Sequence, residues 1–580
     1  MRQSFLAVRQ KKGVPLDFTA GDIKTGKIDG VLNSNKAYQF LKNHRFSPEH
    51  YKKMEKDLKA WIRQLGKATW FVTLSMAEAQ WPDLLRILYK ADNPNDELTD
   101  EQLLSLEPKI KENLIKKYPV LIVRHFSKRI QWLLSRVIKN ENGPLGIVSD
   151  YAGGEEAQFL GSLHIHLIIY VQNSPSIEKS NTSDILDFID KTISCSRLLP
   201  DIPGIDIPDS LRNLPQLRQL HRHTDTCYKG NRNKCRFNFP IPPMRKTVLL
   251  HPLEVSDTEL RHYKQNFSQI MDFMANKKKE KSKLPRGNEC LWTFDEFLNK
   301  LKTIEGLREI TEDEYLKTIA SSLKRPTIFL SRAPSEVAIN AYCPMILYLW
   351  NANIDIQFIL NVYEVTRYIT SYMSKVNKGM SDLLRNVNKD IEKGNFSSQL
   401  DMFKSLGSKF VRATELSAQE IVLLLLSLKS YYSTRKVCFI NTSPEDNRAA
   451  LVKPMAKINE LPDDSKQILC SNHQKRYLLR SDELENVCLA DWFSLYETYY
   501  KNASNKTLPK GVFKLNDGSF IRKLTGKARI IRYVRFSVNK DRENHFRELL
   551  LLFHPFRTEN DLLFGKKSYE LAYHLKKHII

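Results

Sequence analysis

Two spacings of apolar residues run along this chain. Across residues 35–65 apolar positions recur at helical intervals between charged ones, which predicts helices. Trp70-Phe71-Val72-Thr73-Leu74-Ser75 is rich in β-branched and aromatic residues and predicts a strand. A helix containing Trp81 is predicted from Glu78 to Tyr89, then an acidic loop and helix start between Asp92 and Glu107, then basic helical sequence over 110–140. Ile147–Asp150 and Ala157–Phe159 read as strands beside a stronger one at Gly161–Tyr170, with Gly153-Gly154 as a turn or bulge and Leu160-Gly161 as a hairpin turn. Residues 325–376 return to strand and then helix, and roughly 410–580 mix helices with short strands. The longest apolar run, Ile421-Val422-Leu423-Leu424-Leu425-Leu426, reads as a buried helix. No run approaches the ~18 residues of a membrane span, and no membrane partner is expected.

Composition sharpens this. A chain of 580 residues with 42% hydrophobic content is long enough for several domains with real cores. Ninety Lys and Arg against 66 Asp and Glu leave a net charge of +24, which favours a polyanionic partner, nucleic acid first. Eight cysteines in a chain of this size do not make a disulfide scaffold, so a reducing compartment is expected, and the N-terminus carries no apolar secretory signal. The run Asn276-Lys277-Lys278-Lys279-Glu280-Lys281-Ser282-Lys283 reads as an exposed linker or a nuclear-import signal.

Candidate chemistry concentrates in three places. His164 and His166 are i and i+2 on an apolar strand, so both imidazoles leave one face. If the preceding turn is a hairpin, Glu156 or Gln158 faces them from the neighbouring strand. Imidazole with a carboxylate or amide oxygen suits Mg²⁺ or Mn²⁺ better than a closed thiolate zinc site. Tyr368 and Tyr372 are i and i+4 and Lys375 follows at i+3, so on a helix two phenols and an ammonium share a side. A phenol beside a cation and a metal-bound phosphate gains phenolate character and becomes a nucleophile. Between these, His221, His223, Cys227 and Cys235 offer two His and two Cys within fifteen residues, a spacing that favours structural Zn²⁺. Arg222, Lys229, Arg232, Lys234 and Arg236 would place that module against phosphates.

Together these residues resemble the His-hydrophobe-His single-strand endonucleases, and specifically the Rep portion of Helitron rolling-circle transposases. Phe71–Leu85 is similar to the family's N-terminal strand and following helix, and Glu156–His166 to its metal hairpin. Tyr368, Tyr372 and Lys375 match its paired-tyrosine helix, with Asn353-Ile354-Asp355-Ile356-Gln357 as the strand leading to it. Leu550–Arg557 resembles the segment that precedes the helicase. Leu160 stands where the family often has Arg. No Gly-x4-Gly-Lys-Ser/Thr phosphate loop occurs, so the sequence carries no sign of the ATPase that follows in the family.

The resemblance implies metal-dependent nicking of single-stranded DNA, transient attachment of a 5′ end to one tyrosine, and strand transfer by the pair. The expected partners are single-stranded DNA at transposon ends and a helicase supplied in trans, and the expected location is the nucleus. The rival expectations are a noncatalytic or host-retained transposon-derived DNA-binding protein, a plasmid- or virus-type replication initiator, and a metal-dependent hydrolase with no covalent step. The expected fold is α/β (α+β), an antiparallel nuclease sheet flanked by helices. Its nuclease core would occupy 1–200 and 326–405, with a zinc-binding insertion and basic linker at 201–325 and a mixed accessory region at 406–580.

Overall fold

A computed structural model describes residues 7–9, 19–25, 48–157, 161–228, 235–276, 292–360, 416–445, 448–451, 453, 455–468, 472–500 and 508–578. They fall into two compact units. One comprises the described residues of 67–367 with 416–433, the other those of 1–66 and 434–580.

The first unit is built on a five-stranded sheet. Its strands are β1 (Trp70–Ser75), β2 (Val148–Ala157), β3 (Leu163–Val171), β4 (Ile354–Phe358) and β5 (Tyr431–Ser433). They lie in the order β4-β1-β3-β2-β5, and every pairing is antiparallel. All residues of β1 and β3 are buried, as expected of strands whose two faces are both covered. The faces differ. Trp70, Val72 and Leu74 of β1 stand in register with Ile169, Leu167 and Ile165 of β3 and with Phe358, Ile356 and Ile354 of β4. This apolar face joins one core with α1 (Pro82–Asp92), α2 (Pro119–Trp132), α3 (Pro344–Trp350) and α4 (Ala418–Leu425). Leu84 and Leu88, Ile122 and Phe126, Leu347 and Trp350, and Val422 and Leu423 are their contributions. On the opposite face the same register sets Ser75 beside His164 and Glu156, and aligns Asp355, Thr73, His166 and Gly154 in one row.

Several elements depart from the sequence expectation. The helix expected at Glu78 starts at Pro82, with Trp81 as its N-cap in extended geometry (φ −92°, ψ 109°). Proline pre-sets the first helical turn and disfavours helix in the residue before it, so Trp81 is freed to send its indole N–H to the Asn351 carbonyl at 3.1 Å. Gly153-Gly154 is no turn: β2 runs straight through it, and its irregularity lies at Val148–Asp150. A Cβ at Gly153 would meet the His166 carbonyl oxygen at 1.9 Å, so the close approach of β2 to β3 demands glycine there. The basic helical stretch is divided by Pro119 into Pro108–Lys117 and α2, and α2 continues as a π-helical turn, Leu133–Ile138. The apolar run on α4 is buried only at Val422 and Leu423; Ile421, Leu425 and Leu426 are exposed.

In the second unit, Val437–Ile440 pairs in parallel with Ile530–Tyr533, and Phe520–Lys523 lies between Tyr496–Tyr499 and Val512–Lys514 in an antiparallel sheet. Trp492, Ile521, Leu550 and Leu551 anchor its core. The helix Pro48–Leu65 belongs to this unit, with Arg532 paired to Asp57 at 2.7 Å.

Candidate functional site

The β2–β3 hairpin places Glu156 directly across from His164, and its carboxylate reaches diagonally to His166. His166 Nε2 and Glu156 Oε2 are 3.2 Å apart. That is a hydrogen-bonded contact between imidazole and carboxylate, and the same two groups could close on one octahedral cation, whose neighbouring ligands lie about 3 Å apart. The other ring nitrogen, Nδ1, lies 2.9 Å from the Thr73 hydroxyl on the adjacent strand. A carboxylate only accepts, so Nε2–H donates to Glu156 while Nδ1 accepts from the Thr73 hydroxyl; were a cation to take Nε2, the same hydroxyl would accept from Nδ1–H. Phe71 stacks on the His166 ring at 6.0 Å and 8°, which fixes the ring plane. Gly154, opposite His166, adds no side chain to the row.

His164 Nδ1 lies 3.3 Å from the Ser162 carbonyl. Burial, and secondarily the neighbouring His166, push its pKa down to about 4. It is therefore neutral at physiological pH, the form that ligates a metal. Asp355 carries the row onto β4. Burial raises its carboxyl above the usual range, opposed by hydrogen bonding from Gln357 and by His166. Gln357 Nε2 donates to its two oxygens at 3.2 and 3.0 Å.

The structure thus gathers His164, His166 and Glu156 on one face. Gln158, Tyr368, Tyr372 and Lys375 lie outside the described residues. Thr73 and Asp355 were not singled out in the sequence. Strand parity holds their signal, because each is the polar member of an otherwise apolar alternation, but the register that aligns them with His166 comes from pairing between distant segments.

The second cluster needs no partner strand. His221, His223, Cys227 and Cys235 bring their ligand atoms within 4.8 Å of one another, the one such group of three or more His, Cys, Asp or Glu among the described residues. His221 Nε2 is 3.7 Å from Cys227 Sγ and 3.4 Å from Cys235 Sγ. The edge of a tetrahedron with Zn–S near 2.3 Å and Zn–N near 2.0 Å is about 3.5 Å, which the two His221–Cys contacts match. Backbone N–H groups of Thr224 and Phe237 point at the Cys227 and Cys235 sulfurs at 3.5 and 3.4 Å. The His221 ring stacks on Phe239 at 4.3 Å, and its backbone N–H bonds the Ala338 carbonyl, tying the cluster to the sheet unit. This cluster can hold a metal ion such as zinc.

Residues 9–169 match the family model described as the Helitron helicase-like domain at the N-terminus. That stretch is Helitron-related. The matched stretch contains β1, β2 and most of β3, and with them Thr73, Glu156, His164 and His166. In this chain the Cys/His cluster and Asp355 come after the matched stretch. No curated protein matches it.

Proposed function

We propose that this protein is a metal-dependent single-stranded DNA endonuclease and strand transferase that works through a covalent phosphotyrosine. The observation that supports the proposal is the placement of His164, His166 and Glu156 on the polar face of an antiparallel sheet, with Glu156 Oε2 3.2 Å from His166 Nε2. These three residues, with Gln158 as the sequence's further candidate, would hold Mg²⁺ or Mn²⁺. Such an ion supplies charge stabilisation to a phosphodiester oxygen. Thr73 hydrogen-bonds His166 Nδ1 and holds the ring in place, and low basicity keeps His164 a neutral ligand.

Tyr368 or Tyr372 is the proposed nucleophile, a role that rests on the residue spacing and on the family resemblance. The phenol releases its proton and its oxygen bonds to phosphorus. The bond from phosphorus to the 3′ oxygen breaks, and that oxygen takes a proton. The strand is left with a free 3′ hydroxyl and a 5′ phosphate on tyrosine. Attack of a 3′ hydroxyl on that linkage reverses the steps, so joining needs no ATP, and the second tyrosine accepts a second strand. Lys375 stabilises the phenolate by charge. Zinc at His221, His223, Cys227 and Cys235 has a structural role, and the work is done in the nucleus on transposon ends.

The test is incubation of the full chain with a single-stranded oligonucleotide in Mn²⁺ or Mg²⁺, resolved on denaturing gels. Cleavage with a protein-linked product is expected. It should be lost in His164→Ala and in Tyr368→Phe/Tyr372→Phe, while the double tyrosine variant still binds DNA. Binding without cleavage under either metal would refute the enzyme and leave the DNA-binding derivative. Cleavage with protein-free ends would refute the covalent step.

A further inference from the structure

Five arginines are desolvated enough to lower their pKa: Arg129, Arg218, Arg332, Arg480 and Arg547. Arg129, Arg480 and Arg547 place both terminal nitrogens on protein acceptors, and Arg332 places one. Arg129 meets Asp83 and the carbonyls of Leu349 and Trp350, and Arg332 meets the carbonyls of Glu336 and Ile339. Arg480 bonds the carbonyls of Tyr477, Phe556 and Glu485, and Arg547 bonds Glu559 and the Thr442 carbonyl. Arg218 differs. Its Nε donates to Asn351 Oδ1 at 2.9 Å, and among the described residues its terminal nitrogens have no acceptor. Arg218 is half-buried, and its terminal nitrogens are open to solvent, where they are free to take an anion.

Arg218 lines the wall of an open groove of about 1040 Å³, at the upper end of what small-molecule sites occupy. Lys111 and Lys116 are further cations on the wall; Glu112, paired with Lys116 at 2.6 Å, and Glu78 are its carboxylates. One end of the groove abuts the histidine strand. Glu78 accepts from the Ser162 hydroxyl at 3.2 Å, and the Ser162 carbonyl is the partner of His164. Asn353, on the same wall, bonds the backbone of Ser75, which stands opposite His164. Arg218 is held in place because Asn351 caps α3 in the left-handed conformation and its carbonyl is bonded by Trp81.

We propose that this groove receives the sugar-phosphate backbone of the single strand flanking the cleaved bond, with the terminal nitrogens of Arg218 gripping one phosphate. The inference rests on the nuclease reading for the identity of the anion, and on the open donors of Arg218 for its place. A strand bound there continues toward His164 across Glu78 and Ser162.

The test is the affinity of the full chain for a fluorescein-labelled single-stranded oligonucleotide, read by anisotropy across a salt series. The Tyr368→Phe/Tyr372→Phe background keeps cleavage from interfering. Arg218→Gln should weaken binding about tenfold or more, as loss of a charge-assisted contact does. It should also reduce the slope of log affinity against log salt by about 0.7, the increment for one phosphate on a single strand. Arg218→Lys should restore the slope. Lys116→Glu, on an exposed rim position, should weaken binding as well and decides the matter if Arg218→Gln does not fold. Wild-type affinity and slope in both Arg218→Gln and Lys116→Glu overturn the groove, even if nicking is confirmed. Weakened binding in a chain that never nicks keeps the groove and removes only the nuclease.

Discussion

Thr73→Val is the sharpest probe of the histidine centre. The two side chains have nearly the same volume and both are β-branched, so the strand keeps its propensity and packing. What disappears is the hydroxyl 2.9 Å from His166 Nδ1, in a position only 9% exposed where water does not replace it. Two losses follow. The stranded ring nitrogen costs about 1–3 kcal/mol of folding stability. Loss of the group that orients a ligating histidine lowers metal affinity about 10–100-fold, or about 1.4–2.8 kcal/mol. Mn²⁺ binding to the full chain, followed by titration calorimetry with the Cys/His cluster already saturated with zinc, measures the second term. His164→Ala sets the reference for a lost ligand. Thr73→Val is expected to fall between wild type and that reference. Mn²⁺ affinity within twofold of wild type, in a chain shown to be folded, would refute the claim that Thr73 orients a ligand.

Three further outcomes are expected. Purified chain should carry one tightly bound zinc that Cys235→Ser loses, measured by elemental analysis together with the midpoint of thermal unfolding; a zinc content unchanged in the variant would exclude Cys235 as a ligand. Gly153→Ala should destabilise the sheet unit by about 2–4 kcal/mol, because the new methyl carbon lands 1.9 Å from the His166 carbonyl oxygen; urea unfolding reads the loss. In the second unit burial holds the His473 pKa down at about 4, against about 6.5 when unfolded, so between those values the unfolded chain binds the extra proton. Stability should therefore fall as pH drops from 6.5 toward 4, and His473→Asn should flatten that part of the profile measured by urea unfolding.

The paired histidines illustrate what could be read without coordinates. His164-Ile165-His166 needs only strand parity to put both rings on one face, and the apolar residues around it need only their β preference to make the strand. The Cys/His cluster was equally legible, because its four donors lie within fifteen residues and a short loop closes them whatever the rest of the chain does. Trp81 and Gly153 were misread for one reason: each obeys a constraint from outside its own segment. Trp81 serves Asn351, some 270 residues later, and Gly153 yields to the backbone of β3.

Local sequence determined the elements and the chemistry each carries: a strand with two imidazoles, a four-donor metal loop, a basic chain suited to a polyanion. Tertiary structure decided which groups meet. The antiparallel register put Glu156 on His166 and threaded Thr73 and Asp355 into the same row, and Asn351 at the end of α3 took the Nε of a half-buried Arg218. Parity and propensity act between neighbours along the chain, whereas register and burial are set by pairing between segments that the sequence keeps far apart.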